Sequence, residues 1–418
     1  MSKPLAQGKT KAIYAVSGDD SKVLIKSLDS LTAFNAQRKS ELEGKAAAAS
    51  KTTCNIFRYL NACGLKTHFV REVSETEFEA LNCTMIPIEW VARRIATGSF
   101  LKRNPGVKEG YLFTPPLIET FFKDDANDDP QWSRAQLLEA NFELNGRKIG
   151  VHEYNWMQRA TSVIFRLLEK AWRTVGCVLV DMKIEFGVTT KGELVLADVI
   201  DNDSWRVWPN GDRRLQLDKQ VYRDLPQVTE EALKEVKKNY ERVAQLTNDF
   251  ADPSKVPNVE AIIIMGSAAD ADYGKKIAAS LTNFGVETSL RVCSAHKSTA
   301  EALELIGELE NKANPCVLIA IAGRSNGLGP VLAANSILPV INAPPFSADW
   351  AAQDVWSSLR MPTGVGCTTV LGADEVALAA AKILSIHNHL VYGKLLGNQL
   401  NNIQKIFDSD QQLAQLTL

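Results

Sequence analysis

The chain has 418 residues, more than one hydrophobic core usually supports, so two domains are expected. It is 45% hydrophobic and 23% charged with a formal net charge of −2, which lacks the basic excess of a nucleic-acid binder. Its seven cysteines form no CxxC pair, MSKPLAQGKT has no apolar signal core, and no apolar run is long enough for a bilayer, so a cytoplasmic protein with reduced thiols and no membrane partner is expected.

Residues 11–16 and 22–26 read as short strands joined by Ser17-Gly18-Asp19-Asp20, a hairpin by turn chemistry. Gly8-Lys9-Thr10-Lys11 precedes it. A Gly-Lys pair beside a hairpin can lie over phosphates, but the GxxxxGK spacing of a Walker loop is absent, and an exposed basic turn competes with that reading. A helix is expected over 40–63, stopped by Gly64. In 85–103, Arg93, Arg94, Lys102 and Arg103 bracket Thr97-Gly98-Ser99. Guanidinium groups and a hydroxyl around a glycine turn suit a phosphate or carboxylate; a solvated basic edge is the alternative.

The strongest signal in this half is 178–206. Asp181, Lys183 and Glu185 alternate with Val180, Met182, Ile184 and Phe186, so on a strand the charged set faces one way and the apolar set packs into the core. A second strand is expected over 193–200, after the Lys191-Gly192 turn. If that turn is a two-residue loop, Thr190 pairs with Glu193 and Glu185 lies directly opposite Asp198. Carboxylates opposed across strands repel. Held so, with Lys183 one step away, they suggest Mg²⁺ and a phosphate between them. An ordinary charged surface hairpin is the competing reading, and a longer turn shifts the register. Asp201, Asp203 and Arg206 keep supplying ligand-type groups.

Gly8-Lys9-Thr10-Lys11, IPIEWVARRIATGSFLKR, Lys123 with Asp129-Pro130, VDMKIEFG, LADVIDNDSWR and Asp218-Lys219-Gln220 together resemble the SAICAR synthetase family, over nearly the whole first domain. The resemblance implies an α+β, two-lobed ATP-binding fold. It also implies a ligase that uses ATP and Mg²⁺ to join L-aspartate to carboxyaminoimidazole ribotide (CAIR). Gly8, Lys9, Thr10 and Lys11 would border the ATP phosphates, Lys183 would reach a phosphate, and Glu185 and Asp198 would hold the metal. Glu89, Arg93, Ser99, Arg103, Asp181, Asp203 and Arg206 would hold the ribotide, with Lys123 and Asp129 near the meeting point of aspartate and ribotide. The chain departs from common family versions at Ala6-Gln7, before the Gly-Lys pair, and at Asn202, where proline is usual before Asp203.

Asp252-Pro253-Ser254 and Val256-Pro257 are helix-breaking, so 251–257 reads as a linker between domains at 1–250 and 258–418. Beyond it, strands are expected over 259–265, 287–292, 316–322 and 338–341, with helices over 270–284 and 298–312. This alternation predicts a doubly wound, flavodoxin-like parallel sheet. Gly266-Ser267-Ala268-Ala269-Asp270, Ser294-Ala295-His296-Lys297, Gly323-Arg324-Ser325-Asn326-Gly327 and Ala343-Pro344-Pro345 each follow a strand. In a parallel sheet they converge on the carboxyl edge, where such folds bind ligands. A lone histidine is more often structural, but His296, one of five histidines, sits in a loop at this edge beside Lys297, which favours a functional role. Ser267 and Ser294 suit a phosphate. Asp270 suits ribose hydroxyls or a helix N-cap. A helix from 376 to about 386 and a mostly helical tail follow.

GSAAD, SAHK and AGRSNGLGP resemble the AIR carboxylase family, in the class that uses CO₂ directly. The resemblance implies carboxylation of aminoimidazole ribotide (AIR) without ATP or biotin. His296 and Lys297 would be catalytic; Gly266, Ser267, Asp270, Ser294, Lys297, Gly323, Arg324, Ser325, Asn326 and Gly327 would bind AIR, CAIR or CO₂. Ala269 stands where a second serine is common. The family resemblance also implies a homo-octamer through the carboxylase domains. The rival enzyme reading is a kinase-like phosphotransferase fused to a flavodoxin-like nucleotide-binding module. HRD and DFG are missing, as is GxGxxG after the first strand, which argues against a protein kinase and a dinucleotide oxidoreductase. A nucleotide-sensing module on a dead enzyme fold would lack Glu185, Asp198 or His296; all three are present.

Overall fold

The alternation over 178–186 lies within one long strand, Cys177–Thr189. Val180, Met182, Ile184 and Phe186 are buried on one face, while Asp181 and Glu185, on the other, are also buried, at 4% and 1% exposure. The charged face is therefore not a solvated surface. The computed structural model describes residues 3–33, 38–345 and 351–416. It divides into two compact units: residues up to Asp252 together with those from Leu396 on, and Pro253–Leu395.

In the first unit, Cys177–Thr189 is central to a six-stranded sheet. Cys83–Ile95, Leu112–Phe122 and Gln131–Trp132 extend it on one side; Leu194–Ala197 and Trp205–Pro209 pair with it on the other. A smaller antiparallel sheet carries Ala6–Gln7, Lys11–Ala15, Lys22–Ser27, Glu77–Leu81 and Phe69–Ser74. Helix Val151–Thr174 covers the larger sheet, and helix Lys45–Ala62 packs on the smaller one and against Glu230–Thr247. This is the expected α+β, two-lobed arrangement.

Two local expectations are corrected. The helix expected over 40–63 begins later, because Arg38–Glu41 pairs as a strand with Ser30–Ala33. Gly44 then turns the chain at φ 85 into Lys45–Ala62, and Gly64 ends the helix at φ 83, both conformations open to a residue without Cβ. The hairpin after Cys177–Thr189 is one residue longer than a two-residue loop. The Thr189 N–H donates to Glu193 O at 2.9 Å and the Gly192 N–H to Thr189 O at 2.8 Å, which leaves Thr190-Lys191-Gly192 as a three-residue loop with Gly192 at φ 77. Glu185 therefore lies opposite Ala197, not Asp198. Asp198 leaves the ladder at φ 67.

The second unit is a parallel sheet in the order Glu287–Val292, Glu260–Met265, Cys316–Ile321, Val340–Asn342, Thr368–Thr369. In chain order this is 2-1-3-4-5, the flavodoxin-like winding. The two-residue strand Thr368–Thr369 and the helix Leu328–Ala334 were not anticipated, and the fourth strand begins later than expected. Apolar side chains alternate between two buried layers. Ala261, Ile263 and Met265 face helices Ala271–Asn283 and Ala373–Leu384; Ile262 and Ile264 face Thr299–Glu310 and Leu328–Ala334. Chain reversal between the first and third strands puts a crevice at their carboxyl ends.

Residues 396–416, expected in the second domain, group with the first unit. The physical reason is close packing of helix His389–Leu416: Asn401 Nδ2 donates to Gly64 O at 3.0 Å, and a Cβ on Gly397 would collide with Cys63 O. Among the described residues, no helix is long and apolar enough to cross a membrane.

Candidate functional sites

Three adjacent strands of the first unit bring a set of lysines and carboxylates together. Lys183 Nζ lies 2.8 Å from Glu89 Oε1 and 2.8 Å from Glu185 Oε1. Lys123, just past Leu112–Phe122, reaches both Glu185 oxygens at 3.0 and 2.8 Å. Burial works against the charge on Glu185, but the two ammonium groups outweigh it and hold its carboxyl at about 2. Burial likewise opposes the Lys183 charge, and Glu185 and Glu89 keep that lysine above its usual range. Lys11 arrives from the smaller sheet and pairs with Asp198. Here burial wins: it drives Lys11 down to about 8, against the pull of Glu185.

The array thus contains Lys11, Lys123 and Lys183 against Glu89, Glu185 and Asp198. Among the described residues, no three His, Cys, Asp or Glu side chains form a metal cage. The two carboxylates expected to hold Mg²⁺ are each engaged by ammonium groups, Glu185 by Lys123 and Lys183 and Asp198 by Lys11, so a cation would take them in exchange for those ion pairs. Gly8-Lys9-Thr10-Lys11 forms a turn at the edge of this array, closed by a Gly8 N–H to Lys11 O bond of 2.9 Å. Lys9 pairs with the exposed Asp125 at 3.0 Å. Asp129, at φ 48, uses Oδ1 to accept the Asp124 N–H at 2.7 Å, so this oxygen fastens the loop beyond Lys123.

A second network runs along the same sheet. Arg93, 4% exposed, donates to Glu119 Oε2 at 2.5 Å and to Asp181 Oδ2 at 2.8 Å. Arg103 donates to Glu119 Oε1 at 2.7 Å and Arg206 to Asp181 Oδ2 at 2.5 Å. Three guanidinium groups meet Glu119 and Asp181, and at the Thr97-Gly98-Ser99 turn a further carboxylate, Glu109, accepts from Thr97 Oγ1 at 3.2 Å. Gly98 is needed there. Its φ is 59, and a Cβ would fall 2.5 Å from Arg206 Nη2. Ser99 opens the short helix Ser99–Arg103. Arg94 turns elsewhere, to Glu169.

The sequence reading gave Asp203 to the ribotide, yet its oxygens are engaged by Lys219 at 3.0 Å, Tyr240 at 2.5 Å and the buried Lys45 at 3.9 Å. Despite burial, Lys45 and Lys219 hold this carboxyl well below its usual range. Glu119 was missed. In LFTPPLIETFF it is one glutamate beside apolar residues, and only the fold reveals that it bridges two arginines.

In the second unit the strand-end loops line a cleft of about 610 Å³. Its walls include Gly266, Ser267, Asp270, Ser294, His296, Lys297, Gly323, Arg324, Ser325 and Gly327, and also Ala269. Ser267 Oγ accepts the Ala269 N–H at 3.2 Å and Ser294 Oγ the Lys297 N–H at 3.3 Å, so both hydroxyls keep a donor proton. His296 packs against Gly327, where a Cβ would lie 2.5 Å from Nε2. Burial raises the Asp270 carboxyl above its usual range. Asn326 was expected beside CO₂ but is buried. Its Nδ2 donates to Ser358 Oγ at 3.0 Å and its Oδ1 accepts the Gly329 N–H at 2.9 Å.

A family model described as SAICAR synthetase matches residues 4–240, and one described as AIR carboxylase matches 260–405. The human bifunctional phosphoribosylaminoimidazole carboxylase/phosphoribosylaminoimidazole succinocarboxamide synthetase is 53% identical, covering 100% of this chain and 98% of its own. The chain belongs to the family that joins SAICAR synthetase to AIR carboxylase. Another relative with both parts, the probable multifunctional protein ADE2 of Caenorhabditis elegans, is 58% identical over 98% of this chain and 96% of its own. A solved SAICAR synthetase, the phosphoribosylaminoimidazole-succinocarboxamide synthase from Ehrlichia chaffeensis, is 29% identical with a TM-score of 0.53. It covers 59% of this chain and 98% of its own.

Proposed function

We propose that this chain carries out two consecutive reactions of purine biosynthesis: carboxylation of AIR with CO₂ to CAIR in the second unit, and ATP-dependent ligation of L-aspartate to CAIR in the first, giving SAICAR, ADP and phosphate. The observation that carries this reading is the presence on one chain of both a lysine–carboxylate array beside an arginine network and a separate strand-end cleft holding His296. The names of the human and rodent relatives couple the same two activities. A 29% identical SAICAR synthetase solved in complex with ADP supports ATP as the nucleotide.

In the ligation, the CAIR carboxylate oxygen attacks the γ-phosphorus and ADP leaves. The amine of aspartate then attacks the acyl phosphate carbon, phosphate leaves, and the amine loses a proton. Gly8, Lys9, Thr10, Lys11 and Lys183 border the phosphates and offset their charge. Mg²⁺, held by Glu185 and Asp198, would supply further charge compensation. Arg93, Arg103, Arg206 and Ser99 hold the ribotide phosphate side, with Asp181 and Glu89 setting the orientation of Arg93, Arg206 and Lys183. Lys123 stands where aspartate and ribotide meet; Asp129 and Asp203 shape the surrounding loops.

In the carboxylation, the nucleophilic ring carbon of AIR bonds to the carbon of CO₂, and the ring proton passes to His296, restoring aromaticity. Gly266, Ser267 and Ser294 cradle the phosphate, Asp270 meets the ribose, and Lys297, Gly323, Arg324, Ser325 and Gly327 surround the new carboxylate. Neither ATP nor biotin enters this half. The join at 251–257, a homo-octamer through the carboxylase units and a cytoplasmic location belong to the same proposal; sedimentation and fractionation test the last two. The decisive assay gives the purified chain AIR, bicarbonate, ATP, Mg²⁺ and aspartate. SAICAR is the expected product, and its absence overturns the reading.

A further inference from the structure

The loop Gly323–Gly327 forms one wall of the carboxylase cleft, yet its conformation is not self-supporting. Ser325 lies at φ 44, in the left-handed region that a side chain disfavours. Its carbonyl accepts the Gly327 N–H at 2.7 Å, across only two residues. Residues 354–358 hold the loop from outside. The Ser325 N–H donates to Asp354 Oδ2 at 2.7 Å, the Asn326 N–H to Ser357 Oγ at 2.9 Å, and Asn326 Nδ2 to Ser358 Oγ at 3.0 Å. That segment is itself fixed. Ser357 Oγ donates to Asp354 O at 2.7 Å, and Ser358 O accepts from Thr369 Oγ1 at 2.6 Å and Asn342 Nδ2 at 3.2 Å. Asn342 and Thr369 belong to the last two strands of the sheet.

The chain of contacts ends at the proposed base. Gly327 lies against the His296 imidazole so closely that a Cβ would fall 2.5 Å from Nε2. Where the loop sits therefore fixes where the imidazole sits. The acceptor on Ser325 is also the only charged group among the three acceptors on this segment, and hydrogen bonds to charged acceptors are the stronger kind.

We propose that Asp354 is a positioning residue for AIR carboxylation. Assisted by Ser357, it clamps Ser325 and so sets Gly327 beneath His296, without touching substrate. This rests on the carboxylation reading of the second unit. The backbone N–H groups of Ser325 and Asn326 are then committed to the clamp and do not serve the new carboxylate.

The test uses the full chain, with carboxylation of AIR and ligation from supplied CAIR measured separately. A misplacement of about 1 Å at a reacting group costs on the order of a hundredfold in rate. Asp354→Ala is expected to lower kcat for carboxylation at least about tenfold, with KM for AIR changed less than about threefold and ligation intact. Asp354→Asn keeps an oxygen acceptor and should recover most of the lost kcat. Ser357→Ala should show a smaller loss in the same direction. Unchanged carboxylation in Asp354→Ala overturns the proposal, as does a loss that Asp354→Asn shares in full, or one that appears only in KM. If Asp354→Ala does not fold, Asp354→Asn and Ser357→Ala decide: full activity in Ser357→Ala together with a deep loss in Asp354→Asn overturns it. A wild-type chain inactive in carboxylation but active in ligation refutes the underlying reading instead.

Discussion

Glu185 stands directly opposite Glu89 in the antiparallel ladder, and one ammonium group, Lys183 Nζ, binds both at 2.8 Å. Two buried or half-buried carboxylates facing each other would repel; the lysine turns that repulsion into a bridge. Glu185 has its carboxyl held at about 2 against an ordinary 4.5. A depressed carboxylate contributes stability that is fully present above the unfolded pKa and lost as pH falls through the folded one. Wild type should thus lose on the order of 3 kcal/mol from this group between about pH 5 and pH 2. Urea midpoints measured across that range should fall less steeply for Glu185→Gln; parallel slopes would contradict the assignment.

Lys183→Met removes the cation that Glu89 and Glu185 share, leaving Lys123 as the ammonium partner of Glu185. Ligation should drop at least about a hundredfold, because the charge offsetting the phosphoryl group is lost. Carboxylation, measured on the same preparation, should stay within about twofold. Equal loss of both activities would argue for global unfolding, which circular dichroism distinguishes.

Asp198 stands outside the ladder, paired with Lys11. Asp198→Asn should raise the Mg²⁺ concentration needed for half-maximal ligation by about tenfold or more, and leave carboxylation independent of Mg²⁺. An unchanged Mg²⁺ titration would remove Asp198 from the metal site.

Lys11, driven by burial to about 8, is charged at neutral pH and loses its proton in mildly alkaline solution. The KM for ATP in ligation should rise between about pH 7 and pH 9.5. Lys11→Arg, whose guanidinium stays charged, should flatten that rise, even if its overall activity is lower. The same upward slope in both proteins would point to another group.

Gly327 has an ordinary backbone conformation, φ −80, so alanine is tolerated by the chain itself. The added Cβ would meet His296 Nε2 at 2.5 Å. Gly327→Ala should therefore cut carboxylation about tenfold or more while leaving ligation and the melting temperature nearly unchanged. His296→Ala should abolish carboxylation alone.

Much of the carboxylase cleft was legible because a parallel sheet places every loop after a strand on one edge, so strand ends alone predicted the convergence of Ser267, Ser294, His296 and Gly323. Asn326 escaped that logic: its segment was right, but its side chain turned inward to Ser358 and Gly329. In the ligase unit, alternation identified Asp181, Lys183 and Glu185 as one face. It did not identify their partners. Glu89, Glu119 and Lys123 come from other strands or loops, and only strand pairing sets them across from the first set.

Periodicities and motifs were readable along the chain alone: a charged and apolar alternation, apolar strands followed by small-residue loops, and a proline-bearing seam before Val259. These depend on side-chain spacing along one chain. Register and pairing emerge only when the strands come together. One extra loop residue, with Gly192 at φ 77, moved Asp198 out of line with Glu185 and left Glu89 as the carboxylate opposite it. Register is a relation between strands, fixed by turn geometry and packing, so a shift of one residue rearranges the site while leaving each strand's own pattern intact.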